Sequence, residues 1–441
     1  MSKQESTRRD FLKTAAVSGA LASVAIPAVH AAGDEVIKVG IIGCGGRGTG
    51  AGDNVLHAAP NVQVVAIGDV FKFRTDSCRN TLLKLNQNDQ VKKLGNKVDL
   101  PEERCFTGLD CYEKVINAGV NYVILAGPPG FRPQQLQAAI AAGKNVFTEK
   151  PVSVDGPGTR RVLDAYEEAQ KKKLGVAAGT QRRHQTSYLE AMKRIHDGTF
   201  GEVTAMRAYW NGNGIWFRTR DDLAKKGEKS TDLAYQLHNW YHFVWTCGDH
   251  IAEQHVHNLD VCNWAIGKHP IKAVGMGSRL SRPVGAPGEV GHIFDNFAVD
   301  FEYEGGVHML SMCRQIPGTE ANVSEAVACA KGQWSTAKGN VTRDYKGTPI
   351  WSFTGRDNSP YVQEHTDLIE SIRKGAPINE LKNVAESSLT AVMGRLTSYT
   401  GKAVSWDQAL NSKEDTFPKQ LSWDMQLSIP PVAVPGKTPL V

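Results

Sequence analysis

One six-residue run constrains this chain more than any other feature: Gly43-Cys44-Gly45-Gly46-Arg47-Gly48, directly after the apolar stretch Val36–Ile42. Val36–Ile42 reads as a buried strand and the residues near Gly48–Ala59 as a helix. A G-x-G-x-x-G turn between strand and helix has a mechanical meaning. Gly43 permits the tight turn, Gly45 lets the backbone approach a diphosphate, and Gly48 lets helix and strand pack closely. Gly46 and Arg47 complete the loop, and the diphosphate would rest on the positive end of the helix. Val62–Gly68 reads as a second strand. It ends at Asp69, 21 residues after Gly48, where a carboxylate accepts hydrogen bonds from a ribose diol. Asp69 favours NAD, because a carboxylate repels the 2′-phosphate of NADP, while Lys72 and Arg74 just beyond keep NADP open.

The alternation continues. Tyr122–Ala126 and Asn145–Thr148 read as strands around a helix at Pro133–Ala142 capped by Gly143, and 71–104 as a helix plus an inserted loop. Continuous apolar strands separated by helices indicate a parallel sheet covered on both faces. After Pro151 come charged helices at Gly158–Lys173 and Ser187–Asp197. Longer alternating runs then follow at Glu202–Tyr209, Ile271–Gly277, Phe297–Tyr303 and Gly306–Cys313, which read as antiparallel strands with one free face. Helices are expected again at Tyr361–Lys374 and Val384–Thr400. A chain of 441 residues is too long for one core. The expected fold class is α/β: an N-terminal Rossmann parallel sheet over 35–152, then a C-terminal α+β domain over 153–427 with a large, mainly antiparallel open sheet. An extended Pro-rich tail is expected over 428–441.

Gly127-Pro128-Pro129 follows the third apolar strand, on the sheet edge where ligands bind, and Glu149-Lys150-Pro151 closes the next. With Ala141-Ala142-Gly143-Lys144-Asn145-Val146, the last triplet resembles the AGKxV…EKP signature of the Gfo/Idh/MocA family, the relatives of glucose–fructose oxidoreductase and inositol dehydrogenase. The resemblance covers roughly Val36 to Trp406. It implies a nicotinamide-dependent oxidoreductase acting on a sugar, with Lys150 as the catalytic lysine. An ammonium there can hydrogen-bond a substrate hydroxyl and stabilise alkoxide character as hydride leaves. The family's second motif, D-x-G-x-H-x-x-D, is matched by Glu253-Gln254-His255-Val256-His257-Asn258-Leu259-Asp260. This implies His257 as general base and Glu253, on the same helix face, as a substrate or imidazole partner. Asp260 is expected as a structural partner or a substrate contact. Glu253 stands for the usual Asp and His255 for the usual Gly, and the added imidazole is a candidate substrate contact.

Five histidines (His238, His242, His250, His255, His257) fall close together, but no HExxH spacing is present. A polar sugar pocket collects such residues as readily as a metal does, and no metal is expected. Trp240, Tyr241, Phe243 and Trp245 among them suit either sugar stacking or core. Arg182, Arg183 and His184 are expected near cofactor or substrate. A pocket-rim loop is expected at Trp210, Asn211, Asn213, Trp216, Arg218 and Arg220, and Arg182 and Trp216 are candidate substrate contacts.

Thr7-Arg8-Arg9-Asp10-Phe11-Leu12-Lys13, then a short apolar run and Val29-His30-Ala31-Ala32, resembles a twin-arginine signal peptide over 1–32. The run is too short and too rich in small residues to serve as a membrane anchor. The expected location is periplasmic or extracellular, reached in the folded state by the twin-arginine machinery. Folding in a reducing cytoplasm leaves the eight cysteines mostly as buried thiols, with Cys105–Cys111 a candidate bridge. A net charge of +5, about +3 without the signal, gives no reason to expect nucleic acid as a partner. A homo-oligomer through the free sheet face is what the resemblance implies.

Export and cofactor constrain one another. Free nicotinamide nucleotides are scarce outside the cytoplasm, so an exported enzyme must carry a non-dissociating cofactor that is recycled in place. Net sugar oxidation with in-place recycling is the first expectation. Redox-neutral, NAD-dependent glycoside cleavage is the second, and a non-catalytic sugar-binding protein the third.

Overall fold

The structure is a computed structural model that describes residues 35–282 and 290–441. The expected signal peptide lies outside the described residues.

The first sheet is parallel throughout. Its strands are β1 (Ile37–Ile42), β2 (Val62–Asp69), β3 (Lys97–Val98), β4 (Cys105–Thr107), β5 (Tyr122–Leu125), β6 (Asn145–Thr148) and β7 (Val176–Ala178), in spatial order β3-β2-β1-β5-β6-β7 with β4 also on β2. Nearly every residue of the central strands is buried, because helices cover both faces; hence the unbroken apolar runs in the sequence. The helix after the glycine loop spans Gly46–Ala58 and buries Ala51, Val55 and Leu56. The insertion at 71–104 holds helix Lys72–Leu83 as expected, and also a short helix at Asp89–Lys93 and the edge strand β3.

The expected boundary at 152 is corrected. Helix Gly156–Lys172 and β7 still belong to this sheet. Two late helices return to it. Leu368, Ile369 and Ile372 of Pro360–Arg373 join the core on one face, and Leu381, Val384 and Ala385 of Leu381–Thr400 join the core on the other. A parallel sheet needs cover on both sides, and the chain supplies it from residues two hundred positions downstream.

The second sheet has nine strands: β8 (Val203–Gly212), β9 (Lys272–Ser278), β10 (Asn296–Glu302), β11 (His308–Gln315), β12 (Asn322–Cys329), β13 (Gly332–Ser335), β14 (Val341–Arg343), β15 (Pro349–Ser352) and β16 (Val404–Ser405). Their order is β15-β14-β13-β12-β8-β11-β10-β9-β16. All pairs are antiparallel except β8 with β11, which pair in parallel from Ala205 opposite His308. One face packs on helices Val256–Ile266 and Leu381–Thr400. The other leaves Val274, Met276 and Leu310 exposed, Met276 to 73%.

All eight cysteines are free thiols, seven of them buried, and no Cys105–Cys111 bridge forms. The irregular C-terminal segment begins at Asn411, directly after helix Trp406–Leu410 and ahead of the expected 428.

Candidate active site

The glycine loop opens into a cleft of about 450 Å³ between the two sheets' domains. Gly43 has φ +96°, and a Cβ there would lie 2.4 Å from the Gly127 backbone nitrogen. A Cβ on Gly48 would lie 1.8 Å from the Gly43 carbonyl oxygen, so helix and turn touch through that glycine. Gly45 and Gly46 have nothing within 4 Å of an added Cβ and line the cleft. Gly45 caps the helix without a side-chain hydrogen bond, which leaves the first-turn N–H groups available to an anion. This cradle fits a dinucleotide diphosphate.

Asp69 ends β2 on the cleft wall and accepts hydrogen bonds from the Cys44 N–H at 2.8 Å and the Phe71 N–H at 3.0 Å. Burial raises its pKa, against those bonds and Arg74. Arg74 lines the same end of the cleft, whereas Lys72 points out and pairs with Asp76 at 2.7 Å. Gly127 and Pro128 line the cleft, and Pro129 is buried behind it. Arg47 joins the loop to Glu149 and, at 3.2 Å, to Glu364; its guanidinium lies 4.9 Å from the Tyr361 ring centroid.

Lys150 leaves the carboxyl end of β6 and reaches across the cleft. Its Nζ donates to the Glu253 backbone carbonyl and, at 3.2 Å, to Glu253 Oε1. The sequence placed Glu253 and His257 on one helix face; the structure instead breaks the helix between them. Glu253 ends helix His250–Glu253, and His257 lies in the first turn of Val256–Ile266. The N–H of His255 bonds back to the His250 carbonyl at 3.3 Å, and that of His257 to Gln254 at 3.3 Å, so the regular ladder is lost for a turn. The break frees the Glu253 carbonyl for the Lys150 ammonium. His257 lines the cleft with its ring stacked on Trp210 (5.7 Å, 22°). Burial drives its pKa well below the usual histidine value, and the positive charges of Lys150, Arg182 and Arg47 add to this.

The substrate candidates divide. Trp216 lines the cleft together with Arg218. His255 is fully buried and meets Ser311 Oγ at 2.8 Å, away from the cleft wall. Asp260 is held by Arg183 at 2.8 and 2.9 Å and by the Ser387 hydroxyl at 2.8 Å, a structural clamp outside the cleft. Arg182 also sits behind the wall, paired with Glu325, and Gln181 faces the cleft in its place. His184 is taken by Asp367 at 2.6 Å and Glu380 at 3.2 Å. Of the aromatic group, Trp240 lines the cleft, while Tyr241, Phe243 and Trp245 are core. No group of three His, Cys, Asp or Glu among the described residues could hold a metal ion.

Sequence reasoning missed Gln181, Gln254, Tyr361 and Arg132. Tyr361 arrives on a helix from the far end of the chain, with no local motif to announce it. Buried Arg132 braces the site by donating to the carbonyls of Gly127 (2.8 Å), Lys150 (3.2 Å) and Pro151 (2.6 Å).

A parallel sheet with a glycine-loop cradle at its edge and a lysine reaching from the next strand end defines a dinucleotide-binding domain. Residues 37–178 match the Gfo/Idh/MocA profile described as "Oxidoreductase family, NAD-binding Rossmann fold". Residues 5–25 match a twin-arginine translocation signal sequence, and no helix among the described residues is long and apolar enough to cross a membrane. An inositol 2-dehydrogenase of Paracoccus denitrificans is 28% identical over 175 residues, covering 40% of this chain and 46% of the relative. A scyllo-inositol 2-dehydrogenase (NAD(+)) of Bacillus subtilis is 21% identical over 57% of this chain and 60% of its own. The chain thus spans about half the length of such curated relatives. Among solved structures, scyllo-inositol dehydrogenase of Lactobacillus casei with bound NAD(H) and scyllo-inositol superposes with TM-score 0.60 at 18% identity, over 84% of this chain and 99% of that one. Aldose-aldose oxidoreductase of Caulobacter crescentus superposes with TM-score 0.62 at 16% identity, over 84% and 100%. At these identities the likeness is one of fold.

Proposed function

We propose that this protein is an exported NAD(P)-dependent oxidoreductase that acts on a hydroxyl of a sugar or sugar derivative and keeps its cofactor bound between turnovers. The observation that carries the reading is the position of Lys150. Its ammonium stands on the wall of the cleft into which the glycine loop opens, tethered by two oxygens of Glu253 from the second domain. A bound nicotinamide ring supplies the hydride acceptor. Lys150 donates a hydrogen bond to the substrate oxygen as negative charge grows there. His257, neutral in its buried position, accepts the hydroxyl proton. Glu253 Oε2 has no partner among the described residues and suits a second substrate hydroxyl. Trp240 offers flat apolar surface to a sugar ring. The relatives named for inositol, a polyhydroxylated ring, support the same substrate class. The signal sequence supports a periplasmic or extracellular location, and the exposed apolar sheet face supports a homo-oligomer.

The test is to denature the purified protein, identify the released nucleotide by mass, and assay the native protein on free sugars and glycosides. Lys150→Ala should lower turnover by about 10²-fold or more while the nucleotide stays bound. Activity surviving that change removes Lys150 from the mechanism. Aglycone release without net NADH formation favours redox-neutral glycoside cleavage, and absence of any nucleotide leaves the sugar-binding reading alone.

A further inference from the structure

The far end of the cleft, beyond Asp69, is closed by the second domain. Arg74 comes from the first domain, and Arg218 and His238 from the second; all three line the cleft. His238 is 3% exposed, and neither ring nitrogen has a hydrogen-bond partner among the described residues. Phe71 and Phe73 present their faces or edges to its ring at 6.0 Å each and fix its plane. A buried polar group without a partner costs stability, so a lined cavity beside one is a place for a ligand.

Over this closure lies the C-terminal segment. Leu421, Trp423, Met425, Leu427 and Ile429 face inward, alternating with exposed Ser422, Asp424, Gln426 and Ser428. Trp423 packs on Phe71 (6.1 Å), and Phe417 on both Phe131 (5.1 Å) and Trp245 (5.7 Å). Gln236 Nε2 donates to the Leu427 carbonyl at 2.8 Å, and the Thr416 hydroxyl to Asp155 at 2.6 Å. The strap therefore bonds to both domains across the outer wall of the cleft.

We propose that the adenosine half of the dinucleotide is clasped between the domains by Arg74, Arg218 and His238, and that the strap over 416–429 fastens this clasp so that an enclosed cofactor stays. The inference rests on the dinucleotide reading above. Adenosine is favoured over a phosphate because burial, together with the neighbouring Arg218 and Arg74 charges, pushes His238 down to about 4 and keeps it neutral. A neutral imidazole offers one donor and one acceptor, which suits ribose hydroxyls and a purine edge. Planar guanidinium groups stack on a purine. A cofactor enclosed during folding and fastened by a strap would survive export.

The experiment follows exchange of the bound nucleotide against isotopically labelled NAD in the intact protein. In the wild type, exchange takes hours. Trp423→Ala should shorten the half-life at least tenfold with little change in Kd, because removing a barrier accelerates entry and exit alike. His238→Ala should raise Kd at least tenfold. His238→Phe, which keeps a ring against Phe71 and Phe73, should do the same if the nitrogens are what matters. Wild-type exchange within seconds, or Trp423→Ala and His238→Phe both matching the wild type, overturns the clasp while leaving the dinucleotide reading intact. A wild type that holds no nucleotide and takes up neither NAD nor NADP overturns that reading and the clasp with it.

Discussion

His257 illustrates how far a single residue's environment decides its chemistry. Its imidazole is enclosed on Trp210, and the nearest charges with a say in its protonation, Lys150, Arg182 and Arg47, are all positive. A base must be deprotonated to accept a proton, so activity is full above its pKa and lost as pH falls through it. With that pKa held low, the acid limb of kcat/KM falls below pH 6.5, the ordinary histidine value. His257→Gln should reduce kcat/KM by about 10²–10⁴-fold and leave bound nucleotide unchanged. An acid limb at or above 6.5, or a fully active His257→Gln, removes it as the base. The residues of this site were unevenly legible in the sequence. Lys150 and the loop glycines sit in motifs whose spacing is mechanical. The run Glu253–Asp260 gave residue types without directions. A one-turn break in the helix turns His255 toward Ser311, and Asp260 is spent on Arg183, a partner that only the fold brings near.

At the scale of elements, the glycine turn makes two glycines do opposite things. Gly48 is a packing residue, and a methyl there would overlap the Gly43 carbonyl. Gly48→Ala should destabilise the fold by about 1–3 kcal/mol and strip the nucleotide, read as a fall in Tm and in bound dinucleotide. Gly46 faces open cleft. Gly46→Ala should leave unliganded stability unchanged or slightly raised, because alanine is the better helix former, while weakening nucleotide binding. Equal losses of stability in the two variants would contradict this division. The elements themselves were legible where period and punctuation agree, as in the strands around Gly43 and the helices at 156–172 and 381–400. Partnership was less legible. Nothing local in β8 says that one neighbour, β11, runs parallel to it, and β13 to β15 are too short for a period to register. The strap does alternate with period two from Leu421 to Ile429, yet it pairs with no strand among the described residues; it is a packing segment with a strand's pattern.

Across the whole molecule, burial of histidine sets a pH dependence that no single element shows. His242 is pushed down to about 4, and His250 and His292 to about 3, by burial first and by nearby arginines. His238, His255, His257 and His365 are lowered for the same first reason. Each is neutral when folded and takes up a proton on unfolding below 6.5, so its contribution is present above that pH and lost as pH falls. Burial also raises the carboxyls of Asp69, Asp249 and Glu364, which act in the opposite sense. His184 stays charged throughout this range: burial alone would lower it, but Asp367 and Glu380 carry it up to about 10. It adds no slope below 6.5, and its own contribution fades only as pH rises from 6.5 toward 10. The seven lowered histidines outnumber the three carboxyls, so unfolding takes up protons on balance and stability falls as pH drops below 6.5. Denaturant unfolding at pH 7.5, 6.5, 5.5 and 5.0 should show stability falling steeply over the last unit and a half. His292→Leu should flatten the slope by at most about 1.4 kcal/mol per pH unit. Stability that is level or rising from pH 6.5 to 5.0 would mean that these histidines are hydrated in the folded protein. Because His238 faces the proposed adenosine subsite, a bound cofactor that supplies its hydrogen bonds should shift the acid transition downward.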